Sequence, residues 1–440
     1  MTTPLPRSRL GQLALPAGLI AIAILVWTVP MRTFSIWTRN QINPDVNLYH
    51  NYAARIVHGA LAYRDVRIEY PPGATGIFAA TWWIPGNYTN AFSALMLACL
   101  CIAIIGVVAS ARALGYSPLR QAVAGGLLAV CPLAIGSIVA ARFDLAVAAV
   151  VAWMMYTAIT ERWKTMWLLL AAGTLIKIVP IALLPLLMIW HARRVGWRPA
   201  LRSAAACIAL VVAVILPFAI LAPRGVWYFM AYNLRRPPQV ESMASSVYVA
   251  FHAINGTHMP IYFGFGGENA AGRGPALLAS ALTVALLVLI VVIAVRCWRL
   301  LEVAHPTRAV EVLIAGSAAT IVSLTVAGKV LSPQYMMWFL PVIPLLPGRF
   351  WKAATATMVA AWLLTQAFFP LHYWDLIALR EPWVVLFLLR NATLIVLLVL
   401  CWPRRGLGTL PIAGRVIGGA RNHQSSSGPA TSVPARHIVD

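Results

Sequence analysis

Acid is what this chain has least of. Asp and Glu together number 12 in 440 residues, against 34 Lys and Arg. All charged residues make up only 10% of the chain, where soluble domains carry about 25%. That scarcity excludes an ordinary soluble enzyme. Lysine is nearly missing as well: Lys164, Lys177, Lys329 and Lys352 are the whole set, and arginine carries the rest of the positive charge. The six cysteines have no CxxC spacing, which excludes a zinc site of that type and a disulfide framework. No GxxxxGK[ST], GxSxG or HExxH motif occurs, so a Walker-type nucleotide site, a serine-hydrolase elbow and a zincin centre are excluded too.

What remains is apolar. Hydrophobic residues make up 61% of the sequence, and mean hydropathy is +0.79. Stretches of roughly 20 apolar residues, enough to span a bilayer, recur from end to end. The sequence therefore predicts an all-α, polytopic integral membrane protein with about 11–12 spans. A net charge of +22 could point to nucleic acid. Here the basic residues sit at the ends of apolar segments, as the positive-inside rule requires, so no nucleic-acid partner is expected.

Positions 1–402 read as one membrane domain and 403–440 as a disordered cytoplasmic tail rich in Ser, Gly and Pro. Leu13 to Pro30 is the first span, a retained signal anchor running outward. A first outer loop follows at 31–72, and a long outer loop is expected at 223–275. Pro72 to Pro85 is too short to cross and reads as re-entrant or interfacial. Thr165 to Trp190 reads as two short helices turning at Lys177 and Pro180. Met336 to Leu346 is read as a returning span. The Gly264-Phe265-Gly266-Gly267 run is read as a flexible loop. With this topology the Arg-rich junctions fall inside. Eight of the 12 acids fall outside: Asp45, Asp65, Glu69, Asp144, Glu241, Glu268, Asp375 and Glu381.

The polar clusters are then all on one face. Asp45, just after Asn43-Pro44, is either a cap for a helix over Asn47 to His58 or a general base, with Tyr49 beside it. Glu69-Tyr70-Pro71-Pro72 is a rigid joint next to two acids. Arg142-Phe143-Asp144 is either a local ion pair in a tight turn or part of a site. Lys177 lies in an apolar run, where an ionisable residue is a functional candidate. Arg236 with Gln239 and Glu241 suits a phosphate and a sugar, and His258 could donate to the same phosphate. Lys329, Gln334 and Tyr335 lie at a broken helix end, where freed backbone groups need a cavity.

The order of these motifs resembles the GT-C superfamily of polyprenol-phosphate-sugar-dependent glycosyltransferases, and within it family 87, with its bacterial α-1,2-mannosyltransferases. The matching pieces are Pro44-Asp45 with Tyr49, Gly59 to Tyr63, Glu69-Tyr70-Pro71-Pro72, Arg142-Phe143-Asp144, and Lys177 with Pro180 and Pro185. Further on come Gln239 with Glu241-Ser242, and Ser332 to Tyr335 with Pro341. The likeness spans roughly residues 10 to 400.

The resemblance implies a plasma-membrane enzyme working at the extracytoplasmic face. The donor would be a polyprenyl-phosphate sugar, by family likeness mannose, and the acceptor a glycolipid or glycan. Asp45 would be the base. Lys177, Arg236, His258, Lys329, Gln334 and Tyr335 would face the donor. Tyr49, Glu69, Tyr70, Arg142, Asp144, Gln239 and Glu241 would face the sugar or acceptor. Many members carry two adjacent acids at the base position. Here Val46 and Asn47 follow Asp45, so no divalent metal or other cofactor is expected. The alternative is a lipid-linked-sugar flippase or secondary transporter, which shares the apolar scaffold. Such a carrier places functional residues near the bilayer midplane, often between inverted repeats, and no such repeat is visible in the sequence.

Overall fold

The computed structural model describes residues 9–33, 44–303 and 306–405, and these are mainly helical. Most of the predicted tail, 406–440, lies outside the described residues, as does 34–43 of the first outer loop. Six described helices are long and apolar enough to cross a membrane: α4 (Tyr88–Ala113), α5 (Pro118–Ile135), α10 (Trp197–Leu221), α13 (Arg273–Val303), α14 (Pro306–Val326) and α17 (Trp383–Cys401). The expected all-α, polytopic membrane architecture is thus present. Shorter apolar helices stand among them, including α1 (Arg9–Thr33), α7 (Asp144–Ile159) and α8 (Trp163–Ile176). The expected 11–12 spans would need such shorter pieces as well as these six.

Burial sorts the helices. Of the apolar stretch of α14, 89% is buried, against 11% for α10 and 17% for α13. Both kinds of helix are apolar all round. One is enclosed by other helices, and the other two offer their sides to lipid. The helix α7 is also central. Its Ala-rich run is buried from Asp144 to Ala158 and packs between α4 and α8. Small side chains are what let helices approach closely in a membrane, where no hydrophobic effect drives them together.

Three departures from the sequence reading matter for the site. The first is at Met336 to Leu346, read as a returning span. It is instead irregular chain with 3₁₀ turns at Pro333–Met337 and Ile343–Leu345, buried almost throughout. Pro333, Pro341 and Pro344 remove the donors that a regular helix would need. The second is the Gly-rich run, which is an ordered β-hairpin: β1 (Ile261–Gly264) pairs antiparallel with β2 (Gly267–Ala270). Its two-residue turn puts Phe265 at φ 53° and Gly266 at φ 72°, the left-handed pair that matches strand twist. The third is Asp45, which does not precede a helix at Asn47. Helix α2 (Pro44–Val57) already begins at Pro44, and Asp45 sits inside its first turn, where an acid favours the helix dipole.

The expected pair around Lys177 does form. Helix α8 ends at Ile176, a 3₁₀ turn covers Val179–Leu183, and α9 (Leu184–Val195) follows. Between Glu69 and α4 lies the short helix α3 (Pro72–Trp82). After α10 come α11 (Pro223–Arg235) and α12 (Met243–Ile254), within the stretch expected to be a long loop.

Candidate functional site

Helix α2 sets the first wall. Asp45, Leu48, Tyr49 and Tyr52 follow one another at helical spacing, so their side chains share a face. All four line a cavity of about 440 Å³. The second wall is the Glu69-Tyr70-Pro71 joint. Gly73 lets it come close: a Cβ there would lie 2.6 Å from the Leu175 carbonyl oxygen. That approach lays the joint against the end of α8, beside Lys177. Gly225, at the start of α11, likewise rests on the Tyr63 carbonyl, where a side chain could not fit.

Arg142-Phe143-Asp144 does not form a local ion pair. Arg142 is extended, at φ −130° and ψ 140°, and α7 starts only at Asp144. The two charges therefore reach different partners. Arg142 pairs with Asp45, with side chains 18% and 17% exposed respectively. Asp144, 1% exposed, accepts from Lys177 Nζ at 2.6 Å and from the Trp338 indole Nε1 at 2.6 Å. The Lys177 ammonium also lies 5.0 Å from the Phe143 and Tyr335 rings and 5.1 Å from Trp338. Such a cage holds a desolvated cation by both charge and ring quadrupole. The Asp144 Oδ2 atom is buried with no hydrogen-bond partner.

Tyr49 is 1% exposed and stacks on Phe78 at 4.3 Å between centroids. Tyr70 and Phe143 meet it edge-on at 5.8 Å. Its burial keeps the phenol protonated, while the nearby Arg142 charge pulls the other way. Tyr52 donates to Glu69 Oε2 at 2.6 Å, and Asn233 Nδ2 donates to the Glu69 carbonyl at 3.1 Å. Burial raises the Glu69 carboxyl above its ordinary range. The Tyr52 hydrogen bond partly offsets that, and the Asp45 charge adds to it. A poised carboxyl of this kind is what acid–base chemistry uses.

Most of the residues singled out from sequence therefore meet. Asp45, Tyr49, Glu69 and Tyr70 line the cavity from one side, Arg142, Asp144 and Lys177 from a second, and Arg236, Gln334 and Tyr335 from a third. Four do not line it. Lys329 lines a neighbouring cavity, where its Nζ donates to the Leu234 carbonyl at 2.5 Å. His258 is exposed and lines neither.

Gln239 and Glu241 are buried outside both linings. Gln239 Nε2 donates to Glu241 Oε2 at 2.6 Å, and an Arg390 NH2 group donates to the Glu241 carbonyl at 2.9 Å. Burial pushes the Glu241 carboxyl up to about 7, with the Arg390 charge opposing it. The two form part of a buried polar cluster beside the cavity lining.

Several lining residues went unread in the sequence. Tyr228, Tyr232 and Asn233 on α11, Phe265 and Gly266 at the hairpin tip, and Trp338 in the irregular chain all border the cavity. Tyr228, Tyr232 and Arg236 recur every four residues, a helical stripe visible in sequence. Arg390 lies within α17, and an arginine inside an apolar span was itself a signal. Among the described residues, no group of three or more His, Cys, Asp or Glu could hold a metal ion.

The cavity as a whole carries three acids, Asp45, Glu69 and Asp144, and three cations, Arg142, Lys177 and Arg236. It is lined by tyrosines, with Tyr335 stacked on Trp338 at 4.0 Å. Polar hydroxyls, carboxylates and flat apolar faces together suit a ligand with many hydroxyl groups and C–H faces. Comparison of the chain with protein-family models and with curated proteins finds no match.

Proposed function

We propose that this protein is an integral-membrane glycosyltransferase acting at the extracytoplasmic face of the plasma membrane. It moves a sugar, by family resemblance mannose, from a polyprenyl-phosphate carrier to a hydroxyl of a glycolipid or glycan. The observation that carries this reading is convergence. Asp45, Glu69, Arg142, Asp144, Lys177 and Tyr335 come from distant parts of the sequence, and they line one cavity where α2 and α7 begin and α8 ends. A carrier would spread such groups through the middle of the bundle instead.

In the proposed reaction the acceptor oxygen attacks the anomeric carbon while Asp45 takes its proton. The bond from that carbon to the phosphate oxygen breaks, and polyprenyl phosphate leaves with the electron pair. A single displacement inverts the anomeric centre. Arg142 aims the Asp45 carboxylate. Charge builds on the departing phosphate, so a cation is needed where it emerges. Lys177 is already bound to Asp144, whereas Arg236 lines the cavity with its Nε unpartnered. Arg236 is therefore assigned to the phosphate, and Lys177 to the shape of the site. The Tyr335–Trp338 stack offers an aromatic face for the sugar ring.

The test is incubation of purified protein with a panel of polyprenyl-phosphate sugars and candidate acceptors, scoring released polyprenyl phosphate. Release that depends on Asp45 is expected. Wild-type turnover by Asp45→Ala, or no release from any donor, would end the proposal.

A further inference from the structure

Arg390 stands about two turns inside α17, an apolar helix long enough to cross a membrane, and has no exposed surface. A cation there is costly to bury. Its surroundings recover little of that cost. The Phe368 and Phe387 ring centroids lie 5.3 and 5.6 Å from the guanidinium carbon. The Nε and Nη1 atoms are buried without a partner, as is Glu241 Oε1. One directed bond is left, from Nη2 to the Glu241 carbonyl at 2.9 Å. The next residue repeats the grip, with Asn391 Nδ2 donating to Ser246 Oγ at 2.6 Å. An apolar side chain would serve α17 better than this arginine, so the bond to the loop is what the position provides.

That loop reaches the cavity through its backbone. Gln239 pairs antiparallel with Asn269, which lays the chain along β2 as a third strand would lie. The Val240 amide donates to the Glu268 carbonyl and the Ala270 amide to the Pro238 carbonyl, both at 2.9 Å. Gly267 makes room for the Gln239 side chain: a Cβ there would lie 3.2 Å from Gln239 Nε2, the nitrogen that donates to Glu241. From β2, Asn269 Nδ2 donates to the Gly264 and Gly267 carbonyls at 2.7 and 2.8 Å and so braces the turn from inside. At the turn, the Phe265 ring stands 5.0 Å from that of Tyr232, and both line the cavity. Arg390 lines no part of it.

We propose that Arg390 is a positioning residue for the cavity. It anchors the Gln239–Ser242 turn to α17, and through that turn it sets how far Phe265 reaches into the cavity and so which guest fits against it. Only the kinetic half of the test rests on the proposed transfer reaction; the structural half does not.

Purified full-length Arg390→Met and Arg390→Lys are compared with the wild type by amide hydrogen exchange and by steady-state release of polyprenyl phosphate from the donor panel. Exchange across Ile261–Ala270 is expected to quicken at least about tenfold in Arg390→Met, while exchange in α7 stays as in the wild type. Arg390→Lys keeps the charge and a donor, so its effect should be smaller. In Arg390→Met the KM for donor or acceptor is expected to rise about three- to tenfold, with kcat within about twofold. Phe265→Ala should give a similar rise, and the Arg390 substitution should add nothing to it in the double variant. If Arg390→Met does not fold, Arg390→Lys takes its place in both measurements. Unchanged exchange across the hairpin in the variant used, additive effects of the two substitutions, or a loss confined to kcat overturns the proposal. Quickened exchange in a protein whose wild type releases nothing from any donor keeps the positioning role and loses the transferase reading. Wild-type release together with unchanged exchange loses the positioning role alone.

Discussion

At the basic end of the bundle, Arg194 meets Glu161 and Arg193 meets Glu302, and the two acids are 36% and 47% exposed. At the cavity end, Arg142 meets Asp45 and Lys177 meets Asp144, and no member of either pair is more than 18% exposed. The basic end also spends its cations on rings. Arg193 lies 3.7 Å above Trp298, and Arg120 lies 3.6 Å from the Tyr116 ring centroid. Ion pairs in contact with water gain little and cost little to lose. Pairs withdrawn from water cost a great deal to break. The basic end therefore holds charge that is cheap to lose, and the cavity end holds charge that must stay paired.

The sharpest way to break this contrast is chemical. Asp45→Asn should reduce release of polyprenyl phosphate by on the order of 10³ or more. The amide can still accept from Arg142 but no longer balances its charge, so the melting temperature should fall, by less than in the next variant. Next in size is Asp144→Ala, which strands the Lys177 ammonium among aromatic rings. A loss of about 3–5 kcal/mol is expected, read as a large fall in melting temperature and yield. A variant as stable as the wild type would mean that the cage alone holds the lysine.

Glu241 gives a pH test. Its folded carboxyl titrates near 7, above its ordinary 4.5. The folded state thus holds the proton more tightly than the unfolded one. The stability this contributes is full below about pH 4.5 and is lost as pH rises through 7. Melting temperatures across pH 5 to 8 should fall, and Glu241→Gln should flatten that slope.

A smaller effect is expected from Tyr52→Phe. Removing the phenol donor raises the Glu69 carboxyl further, so the acid limb of the activity profile should move to higher pH. An unmoved limb would take Glu69 out of the reaction. The smallest effect belongs to the basic end. Arg194→Ala should cost at most about 1 kcal/mol and leave turnover unchanged, and a large loss of activity there would erase the contrast.

The membrane architecture was legible because bilayer length and the placement of Arg leave few alternatives. Much of the site was legible for a related reason: charges in an apolar chain must be somewhere useful. Asp45, Arg142, Asp144 and Lys177 stood out individually. Their partners did not. Nothing local says that Arg142 reaches back to Asp45, or that Asp144 reaches Lys177 rather than its own neighbour. That depends on an extended residue between two helices and on how closely α7 and α8 pack. The stretch from Met336 to Leu346 misled because apolar composition gives no account of proline's missing donors. That Gln239 and Glu241 lie outside the cavity lining was not legible, because a buried polar core and a sugar-binding set use the same residue types.

The hairpin at Ile261–Ala270 has a last consequence. Its tip borders the cavity, yet it belongs to none of the membrane helices, and it is tied down through Val240 and Pro238 by backbone hydrogen bonds of 2.9 Å. Floor and roof are thus separate pieces of chain. The roof can be retailored, in length or in the residue at Phe265, without disturbing the bundle. In a scaffold of long apolar helices, that turn is where a change in the cavity's lining would cost the fold least.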